Sequence, residues 1–177
     1  RRDKATSNIC TAQALLAIIS AAFAIYHGPD GILKIANRTS KLAKIFADEI
    51  KSGGFKIISD HFFDTVTIKT NEKTNSIYEA ALNENINLRK VDEKHLSVAF
   101  DEAKKLNDVN LLLNIFGISK KIKQDAKVEL DNLPKSLLRT SKYLTHPVFN
   151  KYHSETEMLR YLKTVSYTHL RAHETEE

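Results

Sequence analysis

Two stretches of the sequence carry polar side chains dense enough to hold a ligand. The first is "RRDKATSNICT" at residues 1–11, where Thr6, Ser7 and Asn8 precede an apolar run. Free N–H groups at the start of a helix, together with the helix dipole, favour an anion. Side chains of these three types are also preferred helix N-caps. The segment therefore predicts either a ligand-binding loop or a plain cap, and both interpretations stay open.

The second stretch, residues 138–163, interleaves polar side chains with Tyr143, Phe149 and Tyr152 and shows no regular period. Its prominent polar side chains are Arg139, Thr145, His146, Asn150, His153 and Glu155. Such a set indicates either a buried polar network that holds a long connector or direct contact with a substrate.

The familiar catalytic and metal-binding motifs do not occur in the sequence. His146 and His153 are seven positions apart, which matches no common zinc spacing. There is no P-loop, no Rossmann glycine fingerprint and no Gly-x-Ser-x-Gly motif. Cys10 is the single cysteine, which excludes an internal disulfide and favours a small buried thiol. We therefore predict no metal site and no catalytic nucleophile.

Composition is that of one globular domain. The chain has 177 residues, of which 42% are hydrophobic and 28% charged. The net charge of +5 comes from lysines mixed with acids, which favours a solvated surface over a nucleic-acid groove. A stand-alone basic binding module remains the alternative. The apolar run Ala14–Tyr26 is shorter than the roughly 20 residues of a membrane span, and a polar segment separates it from Arg1 and Arg2. We therefore predict neither a membrane span nor a signal peptide.

Hydrophobic periodicity predicts the elements that must position these residues. Apolar positions at helical spacing predict a helix over 14–26, ended by His27-Gly28-Pro29, and a second over 32–51. Strands are predicted within 55–59, 62–70, 86–91 and 96–100. Capping residues at Ser76, Asn107 and Ser154 predict the starts of three further helices. This order predicts an α+β fold, with helices covering one face of a small mixed sheet.

Four segments together resemble a known family. They are residues 1–17, 62–68, 86–96 and 137–163, and the last contains the aperiodic string "THPVFNKYHSETEM". They are similar to the P-protein of the glycine cleavage system, a pyridoxal-phosphate enzyme that decarboxylates glycine. The resemblance runs from Arg1 to about Lys163 and corresponds to the later part of that protein's amino-terminal half.

The resemblance carries expectations about fold and chemistry. It implies the carboxy-terminal subdomain of a fold type I (aspartate-aminotransferase-like) half, with the Schiff-base lysine outside this chain. By analogy with that fold, Thr6, Ser7 and Asn8 are candidates for contact with the cofactor across the interface between halves. The resemblance assigns the six polar residues of 137–163 to that interface.

It also implies partners and a location. The expected partners are the second half of the protein, the lipoyl-bearing H-protein and glycine, with no nucleic acid and no membrane. The expected location is the bacterial cytoplasm or the mitochondrial matrix. The chain is expected to be inactive alone, and another fold type I enzyme is a further alternative.

The expected domain organisation has three parts. Residues 1–133 form the subdomain, and 134–164 form a connector towards the second half. Residues 165–177 depart from the family and resemble a translated sequencing adaptor.

Overall fold

A computed structural model of the protein describes residues 12–122 and 130–171. The helices are α1 (Ala12–Ser52), α2 (Thr74–Asn83), α3 (Leu106–Ile115) and α4 (Glu155–Arg171). The strands are β1 (Lys56–Ile57), β2 (Thr65–Lys69), β3 (Arg89–Asp92) and β4 (His95–Ala99). These elements confirm the α+β class.

Helix α1 consists of two helical stretches that meet at a kink. Gly28 has φ 62° and ψ −177°, which is not helical, and Pro29 follows it. Proline has no N–H to donate within a helix, and glycine accepts a positive φ without a steric penalty. The predicted stop at 27–29 thus appears as a break within a longer element.

The chain divides into two compact units. One unit combines the residues up to Lys34 with those from Ser141 onward, and the other contains Ile35–Thr140. The three predicted segments, 1–133, 134–164 and 165–177, stay a prediction.

The sheet lies in the second unit and has the order β1-β2-β4-β3. Every pair is antiparallel, with Val66 opposite Val98 and Ile68 opposite Leu96. The expectation of a mixed sheet is therefore wrong. Only two residues, Glu93 and Lys94, separate β3 from β4, and so short a connection permits only antiparallel pairing.

One apolar cluster holds the second unit together. Phe46 and Ile50 of α1 are fully buried, as are Ile68 of β2 and Leu96 of β4. The aromatic rings of Phe46 and Phe100 lie 5.6 Å apart. On the opposite face of the sheet, the hydroxyls of Thr67 and Ser97 are 3.1 Å apart. The helices therefore cover the sheet on the apolar face.

A buried asparagine fixes the segment that follows the gap in the described residues. Asn132 is 4% exposed. Its side-chain amide donates to Ser40 Oγ and to the carbonyl of Phe62, each at 2.8 Å. The neighbouring Asp131 carboxylate lies 3.2 Å from Lys44 Nζ. This part of the chain is thereby attached to α1.

Two of the three predicted caps are wrong. Helix α2 begins at Thr74, and the Ser76 hydroxyl donates to the carbonyl of Lys73 instead of capping. Helix α3 begins at Leu106, one residue before the predicted cap Asn107, and Asp108 Oδ2 accepts from the Lys105 N–H at 2.6 Å. A side chain in the first turn satisfies the free N–H there, as in the second half of a capping box.

Candidate functional site

The amino-terminal candidates lie outside the described residues. Thr6, Ser7 and Asn8 belong to the segment 1–11. Their assignment as a ligand loop or a cap stays a prediction.

The part of the second polar stretch from Ser141 onward belongs to the first unit, as does the kink of α1. His153 Nδ1 lies 2.8 Å from the carbonyl oxygen of Tyr26, two residues before Gly28. A carbonyl only accepts, so Nδ1 carries the hydrogen. The kink interrupts the helical hydrogen-bond ladder, and carbonyls at such a break need other donors. The imidazole supplies one of them.

Gly28 permits this approach because it has no side chain. A Cβ at this position would lie 2.6 Å from the carbonyl oxygen of Phe149 and 2.7 Å from Cε1 of His153. Both distances are shorter than real Cβ contacts, so any larger residue would displace the segment. On the other side of the kink, the Tyr143 hydroxyl donates to the carbonyl of Pro29 at 2.7 Å. We call the group Tyr143, Phe149 and His153 the kink clamp.

Two further predicted residues shape the loop that carries the clamp. The 3₁₀ turn Pro147–Asn150 begins with the Val148 N–H donating to His146 Nδ1 at 3.2 Å. The Asn150 side-chain amide donates to the carbonyls of Leu144 and His146 at 3.2 and 3.3 Å. Asparagine and histidine side chains here replace backbone partners that an irregular segment lacks.

The start of α4 follows directly and confirms the predicted capping box. The Ser154 hydroxyl donates to Glu157 Oε2 at 2.9 Å, and the Glu157 N–H donates back to Ser154 Oγ at 3.3 Å. Hydrogen bonds from the Ser154 hydroxyl and then from its backbone N–H lower the pKa of Glu157. Met158, one residue later, is buried, and the rings of Tyr152 and Tyr161 stack 4.5 Å apart.

The structure brings some of the predicted residues together and leaves others apart. His146, Asn150 and His153 lie close together in the segment before α4, in the first unit. Arg139 belongs to the second unit. All six polar residues predicted in this stretch are exposed: Arg139, Thr145, His146, Asn150, His153 and Glu155. The hydrogen bonds of His146, Asn150 and His153 join exposed side chains to the backbone. The choice between a polar network and direct substrate contact stays open. The assignment of the six residues to an interface between halves stays a prediction.

Sequence reasoning missed Tyr26, Gly28 and Pro29 as the other side of the clamp. The sequence pattern at the Gly-Pro pair predicts only a helix stop. The sequence does contain a signal for this role, because a Gly-Pro break between two helical patterns leaves backbone carbonyls that need donors. Which distant donors satisfy them depends on tertiary contacts.

The expectation that the Schiff-base lysine of pyridoxal phosphate lies outside this chain stays a prediction. That cofactor needs a lysine whose amine can become neutral to form a Schiff base. Lys44 is a half-buried lysine; burial disfavours its charge, but hydrogen bonds to Asp48 and Asp131 outweigh this and raise its pKa. Residues 12–122 and 130–171 also contain no group of three metal-binding side chains.

Helix α1 also meets the length and composition of a membrane span. The stretch Gln13–Ser52 is long and apolar enough, and its most apolar window is mostly exposed. A buried or partner-covered helix passes the same test, and the apolar part 14–26 would extend only about 20 Å against a hydrocarbon core of about 30 Å. The expectation of no membrane contact stays a prediction.

Comparison with known proteins identifies the class to which this segment belongs. Residues 1–116 match the family model of the glycine cleavage system P-protein. The chain belongs to this family.

Individual relatives extend the match to most of the chain. It is 63% identical over 163 residues to the glycine dehydrogenase (decarboxylating) of Pelagibacter ubique, covering 92% of this chain and 17% of that protein. It is 49% identical over 168 residues to the Aliivibrio fischeri (strain MJ11) enzyme, covering 92% of this chain and 18% of the relative. The Photobacterium profundum enzyme is 50% identical over 169 residues, with shares of 92% and 17%. The chain thus spans about one sixth of the length of these relatives.

Proposed function

We propose that the chain acts as one segment of a glycine dehydrogenase (decarboxylating), within the glycine cleavage system. The observation that carries this proposal is the 63% identity to the Pelagibacter ubique enzyme over 163 residues. The whole reaction releases CO₂ from glycine and passes the aminomethyl group to the lipoyl arm of the H-protein. The chain alone is expected to be inactive.

The segment would occupy a defined place in that enzyme. We assign it to the carboxy-terminal subdomain of the first fold type I half, with the residues after Leu133 leading towards the second half. The antiparallel α+β arrangement supports the coarser class of this assignment. Exposure of Arg139, His146 and Glu155 leaves them accessible to an interface between halves.

The cofactor of the proposed reaction would be bound mainly by residues outside this chain. Bound pyridoxal phosphate supplies an electron sink for the carbon that loses CO₂. The Schiff-base lysine would lie outside this chain. Thr6, Ser7 and Asn8 are the candidates from this chain for contact with the cofactor.

The remainder of the enzyme would also cover the exposed face of α1. Its side chains Leu15, Leu16 and Ile18 are 63%, 65% and 61% exposed. An apolar helix face of this kind is buried in a domain or against a partner. Further partners are the H-protein and glycine, and the proposed location is the cytoplasm or the mitochondrial matrix.

A chimera tests the proposal directly. Residues 1–163 of this chain replace the matching 163-residue segment of the Pelagibacter ubique enzyme. The exchange of labelled bicarbonate into the carboxyl group of glycine is measured with pyridoxal phosphate and lipoyl H-protein. We expect activity comparable with that of the parent enzyme, because the segment preserves fold and interface.

The controls separate a failed function from a failed fold. Phe46→Ala in the chimera removes a fully buried ring and should abolish the soluble, active protein. The isolated chain with pyridoxal phosphate and glycine should show neither exchange nor a cofactor absorption band. A chimera that folds by circular dichroism and gel filtration but lacks exchange would contradict the proposal, as would activity of the isolated chain.

A further inference from the structure

An open groove in the second unit is lined by lysines. It has a volume of about 350 Å³ and lies where the Gly53-Gly54 turn, the end of β2 and the following 3₁₀ turn meet. Lys56, Lys69 and Lys73 line it, together with one acid, Glu72. We call it the lysine groove. Its three lysines and one glutamate give it a net charge of +2.

Two of these lysines lie directly opposite each other on neighbouring strands. Lys56 of β1 is the register partner of Lys69 in β2. Like charges directly opposite in an antiparallel pair destabilise the sheet. A lysine on an edge strand protects against edge-to-edge pairing, which accounts for Lys56. It does not account for Lys69, because β2 lies between β1 and β4.

The third lysine is held at the same groove by an aromatic ring. Lys73 Nζ lies 5.5 Å from the centroid of the Phe55 ring, within the range of a cation–π contact. This contact uses the face of the ring, and no carboxylate within residues 12–122 and 130–171 forms an ion pair with the ammonium group. Lys73 therefore adds to the positive potential of the groove.

Some lysines of the second unit outside the groove are paired with acids. Those bonded to a carboxylate are Lys44, Lys90, Lys104 and Lys120. Lys56, Lys69 and Lys73 form no ion pair with any residue in the described ranges. Further described lysines of this unit also lack an ion pair in the described ranges: Lys41, Lys51, Lys94, Lys105, Lys121 and Lys135. The groove differs from them because three such lysines line one concave surface and two of the three are register partners in the sheet.

We propose that the lysine groove binds a multiply charged phosphate anion. Ammonium groups are strong phosphate ligands when several converge, since each forms a charge-assisted hydrogen bond. The volume of the groove is ample for a diphosphate. The open shape also admits a phosphate group attached to a larger molecule.

Isothermal titration calorimetry with inorganic pyrophosphate tests this site on the full chain at low ionic strength. We expect saturable one-to-one binding that Lys69→Gln weakens about tenfold and Lys56→Gln/Lys69→Gln weakens further, as the loss of charge-assisted bonds predicts. Lys135→Gln, which removes an exposed lysine outside the groove, should change affinity less than about twofold, because its charge is screened. Malonate should bind more weakly than pyrophosphate.

Thermal denaturation without ligand provides a second readout. Lys69→Gln relieves the cross-strand repulsion and should raise the Tm by about 1 °C. Absence of pyrophosphate binding would overturn the proposal. An equal loss of pyrophosphate affinity in Lys69→Gln and Lys135→Gln would also overturn it. Malonate binding as tight as pyrophosphate would overturn the phosphate class. A lower Tm for Lys69→Gln with unchanged binding would show a structural lysine.

Discussion

The two units of the chain are held together by different interactions. In Ile35–Thr140, the large apolar side chains of helices and strands converge in one buried cluster that includes Phe46 and Ile50. In the first unit, the apolar side chains of α1 are mostly exposed, and Leu16 is 65% exposed. There the contacts that fix the chain are hydrogen bonds to backbone carbonyls around Gly28.

This difference separates what apolar packing does from what polar contacts do. Hydrophobic burial supplies most of the free energy of folding, and the second unit contains that burial. The hydrogen bonds of the kink clamp fix which backbone groups are in contact, because each donor bonds to one particular carbonyl of α1. Under the proposed function, the exposed apolar side chains of α1 would be covered by the rest of the enzyme.

The largest effect is expected in the core of the second unit. Phe46→Ala should lower the free energy of unfolding by about 3–5 kcal/mol, because a fully buried ring that packs on Phe100 and Phe116 leaves a cavity. Urea denaturation followed by circular dichroism measures the change. A loss of this size is a large part of a typical total of about 5–15 kcal/mol.

The matched variant is Leu16→Ala on the exposed face of α1. It should change the free energy of unfolding of the isolated chain by less than about 0.5 kcal/mol. In the chimera with the Pelagibacter ubique enzyme it should cost more, since the same side chain would then be covered. Equal costs for Phe46→Ala and Leu16→Ala in the isolated chain would contradict the comparison between the units.

The clamp should show an intermediate effect. Gly28→Ala forces an alanine into φ 62° and pushes its Cβ against Phe149 and His153. Strain and overpacking together should cost about 2–4 kcal/mol. Hydrogen exchange reports it locally, through faster exchange of the Phe149 N–H bonded to His146 and the Met158 N–H bonded to Ser154.

Gly54→Ala is the control for backbone strain alone. Gly54 has φ 87°, but a Cβ there would meet nothing within 4 Å. Its cost should be about 1–2 kcal/mol and should leave exchange in the clamp unchanged. If Gly28→Ala costs no more than Gly54→Ala, the clamp does not depend on the close approach at Gly28.

The sequence allowed the elements to be predicted better than their pairing. Alternation of Val66 and Ile68 with threonines locates β2 correctly, because a half-buried strand has a period of two. The antiparallel order could not be deduced from the same alternation, since pairing joins residues far apart in the chain. The caps at Ser76 and Asn107 failed for a local reason. Several polar residues near each helix start compete, and propensity does not rank them.

The candidate site shows the same limit more strongly. His153 was identified by its unusual surroundings, yet its partner Tyr26 lies 127 residues earlier. A glycine-proline break predicts carbonyls that lack a helical hydrogen bond, but it does not predict which side chains donate to them. Only the Ser154–Glu157 box, whose partners are three residues apart, could be predicted with its contacts.

The smallest effect concerns the carboxylates at the surface of each unit. The pKa of Glu157 in the first unit is lowered by hydrogen bonds from Ser154. The pKa of Asp101 in the second unit is lowered mainly by the hydrogen bond from Lys104. For each, the stabilising contribution is complete above the unfolded value, near 4. It is lost as the pH falls through the lowered folded value.

Salt should distinguish the two carboxylates, because their donors differ in charge. In an NMR titration of the carboxyl carbons, raising the ionic strength from about 0.01 M to about 1 M should return the pKa of Asp101 towards its ordinary value. The pKa of Glu157 should change less, because a neutral hydroxyl and a backbone N–H hold it. Ser154→Ala should raise the pKa of Glu157 and leave Asp101 unchanged. A Glu157 pKa shift that disappears in salt would instead assign it to the Coulombic effect of His153 and contradict the assignment to neutral donors.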